Sequence, residues 1–245
     1  MGKEFIVTLA EIEVAFRFNL TGTGMLFRSY KKKEICDVYT GGFLSADIND
    51  ISAFAEEHNC SMEVAEYNCL MMIAADYLAE MGAVMFHGVA FCYGSGAYIL
   101  TAPSGTGKST QYRNLKCLYK DQVRIINGDK PLLKPGLEGE IIVYPSPWKG
   151  KENWGSAEYA PLRGLILLEQ GECNIMKSMT LEEAVLPLME QFLYTAPTRR
   201  SVHTVCRIAD SMIKTIPLYR FKNKGDLASS QMLFECIEKL ESLWQ

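Results

Sequence analysis

The sequence predicts an α/β protein: a mixed β-sheet with flanking helices, built around one strand–loop–helix unit and preceded by a β-rich portion. Three observations predict it. A short apolar run ending at Leu100 leads into a loop rich in Gly and Ser and then into a stretch with helical composition. Apolar residues alternate at period two through residues 5–18. Beyond residue 60, apolar runs of strand length interleave with segments whose apolar residues recur at i, i+3, i+4 and i+7. We place an N-terminal β-rich portion at residues 1–60 and a domain built around the strand–loop–helix unit at residues 61–245.

Composition sets the outer bounds. The chain has 245 residues, 48% of them hydrophobic, enough for one sizeable core. A net charge of -4 and a pI of about 5.5 disfavour a polyanion binder, so no nucleic-acid partner is expected. The longest apolar stretch, Cys69 to Phe86, carries Asp76 and Glu80, which argues against a membrane span. Met1-Gly2 is followed by Ile6 where a myristoylation signal asks for Ser or Thr. The eight cysteines are scattered singly; buried reduced thiols in a cytoplasmic protein are expected.

In chain order, Phe5, Val7 and Leu9, then Ile12, Val14, Phe16 and Phe18, read as strands. Met25–Arg28 and Glu34–Tyr39 read as a further hairpin turning at Lys31–Lys33, with Gly41-Gly42 as a break. A long helix follows. Ser61 caps it, Leu70, Ile73, Ala74, Tyr77, Leu78 and Met81 form its apolar face, and Gly82 ends it. Met62, Met71, Met72 and Met81 read as core filler. Val89–Tyr93 and Ala97–Leu100 form a hairpin turning at Gly94-Ser-Gly96. The helix after the loop runs to about Leu118, and Val123–Ile126, Ile141–Tyr144 and Leu165–Leu168 are strands. Thr180-x-x-Glu183 is a capping box for a helix with Leu181, Ala184, Val185, Leu188 and Phe192 on one face. A helix through Val202–Ile213, a strand at Pro217–Phe221 and a C-terminal amphipathic helix ending near Trp244 complete the chain.

The loop carries the chemistry. It is Ala102-x-x-x-x-Gly107-Lys108-Ser109, one residue from the strict phosphate-loop pattern. Gly105 and Gly107 let the backbone curl so that successive N–H groups face one anion. Lys108 would reach the β- and γ-phosphates, the Ser109 hydroxyl would ligate Mg²⁺, and the helix start would add its positive end. Pro103, Ser104, Gly105, Thr106, Gly107, Lys108, Ser109 and Thr110 are therefore the candidate nucleotide contacts, with ATP and Mg²⁺ as the expected cofactors.

Phosphoryl transfer also needs a carboxylate. Asp129, after a strand expected beside the loop strand, is the first candidate as base or metal partner, and Glu169 is the reserve. His87 lies 21 residues before Lys108. Asn223-Lys-Gly-Asp226 matches the guanine-reading N-K-x-D, but Asp129-Lys-Pro-Leu132 is no D-x-x-G switch, and Asp226 as a helix cap is the simpler reading.

His87-Gly-Val-Ala-Phe-Cys-Tyr-Gly-Ser-Gly-Ala-Tyr-Ile-Leu-Thr-Ala-Pro-Ser-Gly-Thr-Gly-Lys-Ser109 resembles the catalytic segment of HPr kinase/phosphorylase, and the core is similar to ATP-dependent phosphoenolpyruvate carboxykinase. The match spans about residues 84–130. The resemblance implies a P-loop kinase core of that type, with Lys108 on phosphate, Ser109 on Mg²⁺, Asp129 as one member of an acidic pair and His87 supporting it. Ala102 replaces the first loop Gly, and Lys130 stands where a second Asp would be. The divergent HPr kinase-like proteins, some beside peptide-modification genes, are the nearer match. In them a segment like Pro145-Ser-Pro-Trp-Lys-Gly-Lys-Glu152 recurs, where Lys149 and Lys151 either receive an anion or belong to a solvated loop.

The expectation is thus a cytoplasmic serine-kinase-type phosphotransferase. Catalytic roles fall to Asp129, His87 and Lys108. The acceptor is a hydroxyl of a peptide, protein or small molecule, no membrane partner is expected, and a homo-oligomer is left open. The alternatives are a nucleotide switch without transfer, and carboxykinase-like chemistry, for which Arg199-Arg200 is the obvious arginine pair. Because the N-K-x-D match lacks its companion motif, ATP should bind at least as tightly as GTP. Titration of both nucleotides checks this, and a strong GTP preference abolished by Asp226→Ala would overturn it.

Overall fold

A computed structural model describes residues 3–34 and 43–244. Two strands, β1 (Lys3–Leu9) and β2 (Ile12–Phe18), form an antiparallel hairpin. A one-turn helix, α1 (Thr21–Leu26), leads to β3 (Lys31–Glu34), which pairs with β1. The expected strand at Met25–Arg28 is overturned, because the chain is helical or turning there and drops Phe27 into the core. Its ring packs at 5.1 Å from Phe16 and 5.3 Å from Trp148. The expected turn at Lys31–Lys33 is instead strand β3, and 35–42, covering most of the expected Glu34–Tyr39 strand, lie outside the described residues.

Two helices follow. α2 (Ile48–His58), which the sequence reading lacked, is capped by Asp47. α3 (Met62–Glu80) is capped by Ser61 as expected. Met81 is exposed rather than core filler, since the helix stops at Glu80. Next come β4 (Val84–Phe86), β5 (Val89–Tyr93) and β6 (Gly96–Thr101). The strand–loop–helix unit closes with α4 (Lys108–Tyr119). The strands β7 (Arg124–Asn127), β8 (Leu132–Pro135), β9 (Ile141–Tyr144), β10 (Ala160–Gln170) and β11 (Ile175–Ser178) precede α5 (Leu181–Met189). Then come β12 (Phe192–Leu193), α6 (Arg199–Thr215), β13 (Leu218–Asn223) and α7 (Leu227–Ser242). Phe192 leaves the helix face predicted for it because its strand pairs with β4, ring against Phe86 at 5.1 Å.

The second sheet is mixed. β6 and β13 run parallel to β10 on either side, while β5 pairs antiparallel with β6 and β7 antiparallel with β5. Side chains on β5 and β6 alternate between two cores. Ala90, Cys92, Ala97 and Ile99 face a cluster with α5 and α6, and Val89, Phe91, Tyr98 and Leu100 face one with α4 and α7. A third core joins the N-terminal sheet to α2, α3, Leu132, Tyr144 and Trp148.

The seven described cysteines are unpaired, and Cys117, Cys173 and Cys206 are exposed, against the expectation of burial; they sit on outward faces of α4 and α6 and in the turn before β11. No described helix is long and apolar enough to cross a membrane.

Glu66, fully buried on α3, ties the N-terminal portion to the rest. Its carboxylate accepts the backbone N–H groups of Asn19 at 2.5 Å and Leu20 at 3.1 Å. Glu66→Ala strands both donors, so it should cost roughly 2–5 kcal/mol of stability. Urea unfolding measures the loss, and a change below about 1 kcal/mol would show the contact to be dispensable.

Candidate functional site

The loop between β6 and α4 turns on Gly107, which caps α4 at φ +106°, a region that suits glycine, and on Gly105 at φ +82°. No heavy atom lies within 4 Å of where a Cβ would stand on either, so this face of the loop is open. Thr106 braces the loop through its hydroxyl, which donates to the Pro103 carbonyl at 2.9 Å. Ser109 is half-buried in the first helical turn and Thr110 is exposed beside it. Pro103 and Ser104 are exposed at the loop entrance.

Lys108 is buried and folds back on the loop. Its ammonium donates to the carbonyls of Ala102 at 2.7 Å and Pro103 at 3.2 Å. Burial depresses its pKa to about 8; the Asp129 carboxylate pulls it back up and the Lys130 ammonium pushes it further down.

β7 is separated from β6 by β5, correcting the expectation that Asp129 follows a neighbour of the loop strand. Asp129 still comes close, through two backbone steps. The Thr101 hydroxyl at the end of β6 donates to the His87 carbonyl at 2.7 Å, and the Gly88 N–H donates to the Asp129 carbonyl at 2.9 Å. His87 Nε2 lies 3.4 Å from Asp129 Oδ1, and Lys130 Nζ lies 3.0 Å from Oδ2. Burial pushes the Asp129 pKa up, but the His87 ring beside it and the Lys130 ammonium outweigh burial, and the net shift is down. Asp129 is thus ionised with both oxygens engaged.

A residue that the sequence reading does not name is Asn127. It is fully buried. Its Oδ1 accepts the N–H groups of Asp129 at 2.9 Å and Lys130 at 2.7 Å, and its Nδ2 donates to the Ser146 carbonyl at 3.0 Å and hydroxyl at 3.1 Å. Asn is a residue type that makes such side-chain-to-backbone turns.

The segment from Pro145 to Trp154 closes over this corner. A Cβ on Gly128 would stand 2.8 Å from the Lys149 carbonyl, and one on Gly150 would stand 2.8 Å from Asp129 Cβ. Tyr67 of α3 anchors the segment, donating its hydroxyl to Pro147 O at 3.0 Å and accepting the Lys149 N–H at 3.2 Å. The Lys149 ammonium lies 5.7 Å from the Tyr30 ring centroid, while Lys151 is exposed.

Other candidates stay outside the site. Glu169 pairs with Arg220 at 3.1 Å. Arg199 and Arg200 open α6 beside Glu80, which bonds Thr198. Tyr67 and Glu80 are separated along α3 by roughly 20 Å at helical rise. Asp226 caps α7 by accepting the Ser229 N–H at 2.7 Å, and Asn223 is buried against Gln111, so the N-K-G-D run is structural. Among the described residues no three His, Cys, Asp or Glu side chains cluster as metal ligands.

No protein-family model and no curated protein sequence matches the chain. Among solved structures, the chain is similar to the Hpr(Ser) kinase/phosphatase from Coxiella burnetii at 12% identity and a TM-score of 0.38, over 64% of this chain and 98% of that one.

The buried Lys108 makes stability depend on pH with a definite sign. Its pKa falls from 10.5 unfolded to about 8 folded, so between these values the unfolded chain binds more protons and stability rises with pH. Below about pH 8 the charge is buried at full cost. Wild-type stability should therefore climb from pH 8 to 9.5 relative to Lys108→Met, and parallel unfolding curves for the two proteins over that window would refute the burial effect.

Proposed function

We propose that this protein is an ATP-dependent kinase that transfers the γ-phosphate to a hydroxyl, a serine of a peptide or protein or a hydroxyl of a small molecule. One observation carries the reading: a carboxylate, Asp129, whose turn is fixed by Asn127, is tied through Gly88 and His87 to the end of the strand that leads into a phosphate-type loop with a buried lysine.

The residues present fit the nucleotide. The open glycine face and the N-terminus of the 12-residue α4 suit a phosphate chain. Ser109 stands in the first turn, where its hydroxyl would ligate Mg²⁺, and Pro103 to Thr110 would line the phosphates. When bound, ATP supplies the phosphoryl group and Mg²⁺ neutralises charge on it. The chain's own work is to position and to move a proton. Lys108 would leave its two carbonyl partners for the phosphate oxygens. Asp129 would take the proton of the acceptor hydroxyl as its oxygen bonds phosphorus and the bond to the ADP oxygen breaks. His87 would keep Asp129 Oδ1 aimed.

One observation favours a second reading, a nucleotide switch without transfer: Lys130 occupies Oδ2 of Asp129, and the depressed pKa makes that carboxylate a weak base.

Incubation with γ-labelled ATP and hydroxyl acceptors separates the two. As a base, Asp129 is expected to contribute roughly two to four orders of magnitude, so Asp129→Asn should lose about that much transfer rate while binding ATP. His87→Ala should slow transfer more than it weakens binding. Wild-type transfer by Asp129→Asn would overturn the mechanism, and ATP binding with label reaching no acceptor would favour the switch.

A further inference from the structure

The Lys130 ammonium and the Asp129 carboxylate pair on a turn that two hydrogen bonds, from the Gly88 N–H to the Asp129 carbonyl and from the Thr101 hydroxyl to the His87 carbonyl, tie to the end of the loop strand. Lys108 is held by backbone carbonyls, and Lys130 sits on Asp129 with a side chain only 12% exposed. Lys108, Lys130 and Asp129 together carry one net positive charge, which favours an arriving anion.

Of Lys130, only the side chain is free to respond. Its N–H is fixed on Asn127 Oδ1, and its carbonyl accepts the Ser146 hydroxyl at 2.5 Å. The side chain beyond is four methylenes ending in a compact cation with one ion-pair partner among the described residues. A doubly charged phosphate oxygen group is a stronger partner for that cation than a singly charged carboxylate.

We infer that Lys130 gates this site: it masks Oδ2 of Asp129 in the free protein and moves onto the terminal phosphate of a bound nucleotide, uncovering the carboxylate. The inference rests on the nucleotide reading of the loop. Its content is that phosphate binding and exposure of the base are one movement. Oδ1 stays on His87 throughout, so the released oxygen emerges already oriented. A lysine at this position thereby couples Asp129 to the presence of the terminal phosphate, and a site holding a nucleotide without that phosphate keeps Asp129 masked. Lys130 is a positioning residue for Asp129 and a contact for the phosphate.

Calorimetric titration of ATP and ADP, with Mg²⁺ and with the metal chelated, tests this. Lys130→Met should weaken metal-free ATP binding about ten- to a hundredfold, the range for losing a charge-assisted contact, and ADP binding by less than about threefold. Lys130→Arg should retain most of the ATP affinity. Asp129→Asn frees Lys130 from its partner, so it should tighten metal-free ATP binding severalfold, and Asp129→Asn combined with Lys130→Met should lose that gain. Lys130→Met that binds ATP like wild type, or loses ATP and ADP equally, overturns the gate. If Lys130→Met does not fold, absence of tightening in Asp129→Asn overturns it instead. The nucleotide reading fails separately: wild type that binds neither nucleotide, or Lys108→Ala that binds both unchanged, removes the reading and the gate with it.

Discussion

The site depends on one buried amide. Asn127 has no exposed surface and spends its oxygen on the two backbone N–H groups that follow, and its nitrogen on Ser146. The first set of bonds forces the chain to turn at Gly128 and present Asp129 and Lys130 side by side. The second brings in the segment after β9, where the Ser146 hydroxyl donates to the Lys130 carbonyl and accepts the Trp148 N–H. Removing a buried amide of this kind leaves several polar groups unpartnered at once, which is far costlier than losing one exposed hydrogen bond. The geometry of His87, Asp129 and Lys130 is therefore set by residues that carry no charge.

The loop side is held as firmly. Gln111 of α4 is buried and donates to Asn223 of β13 and Ser229 of α7, while Ser230 donates back to its oxygen. This closed polar network ties the helix that follows the loop to the strand and helix packed beside it. Gln170, at the end of β10, adds a contact to the Gly105 carbonyl at 3.4 Å. At the far end of the same sheet, Tyr98 and Ser95 converge on the buried Glu241. The strand bearing the loop is thus anchored at both ends, and Lys108 can remain buried without a dedicated counter-ion.

The sequence made most elements legible where periodicity or a cap was strong. The loop, α4, β9 and the Thr180–Glu183 capping box lie where expected, as does the Asp226 cap. What it hid depends on contacts remote along the chain. Met25 to Arg28 has strand composition, but Glu66, forty residues on, captures the backbone just before it and Phe27 turns into the core. Phe192 has helical spacing, but Phe86 claims it for a strand pair. At the site, Lys108, His87 and Asp129 were legible because their types announce chemistry. Asn127 and Tyr67 were not, because their work is to position backbone, and an Asn in a turn or a Tyr on a helix has no distinctive spacing. Lys130 was visible only as a substitution; its pairing with Asp129 is a property of the folded turn.

The Asn127-Gly128 step has a chemical consequence of its own. Asn-Gly is the pair most prone to deamidate, because an unhindered glycine nitrogen attacks the neighbouring side-chain carbonyl and closes a succinimide. Here the Gly128 nitrogen donates to the Trp154 carbonyl at 2.9 Å, and both ends of the Asn127 amide are engaged. Folding thus shields the bond that ageing would attack first. Each excursion to the unfolded chain exposes it, and conversion to Asp or isoaspartate would remove the donor that Ser146 accepts and put a second negative charge beside Asp129. The same turn that builds the site makes loss of the fold a covalent, accumulating injury.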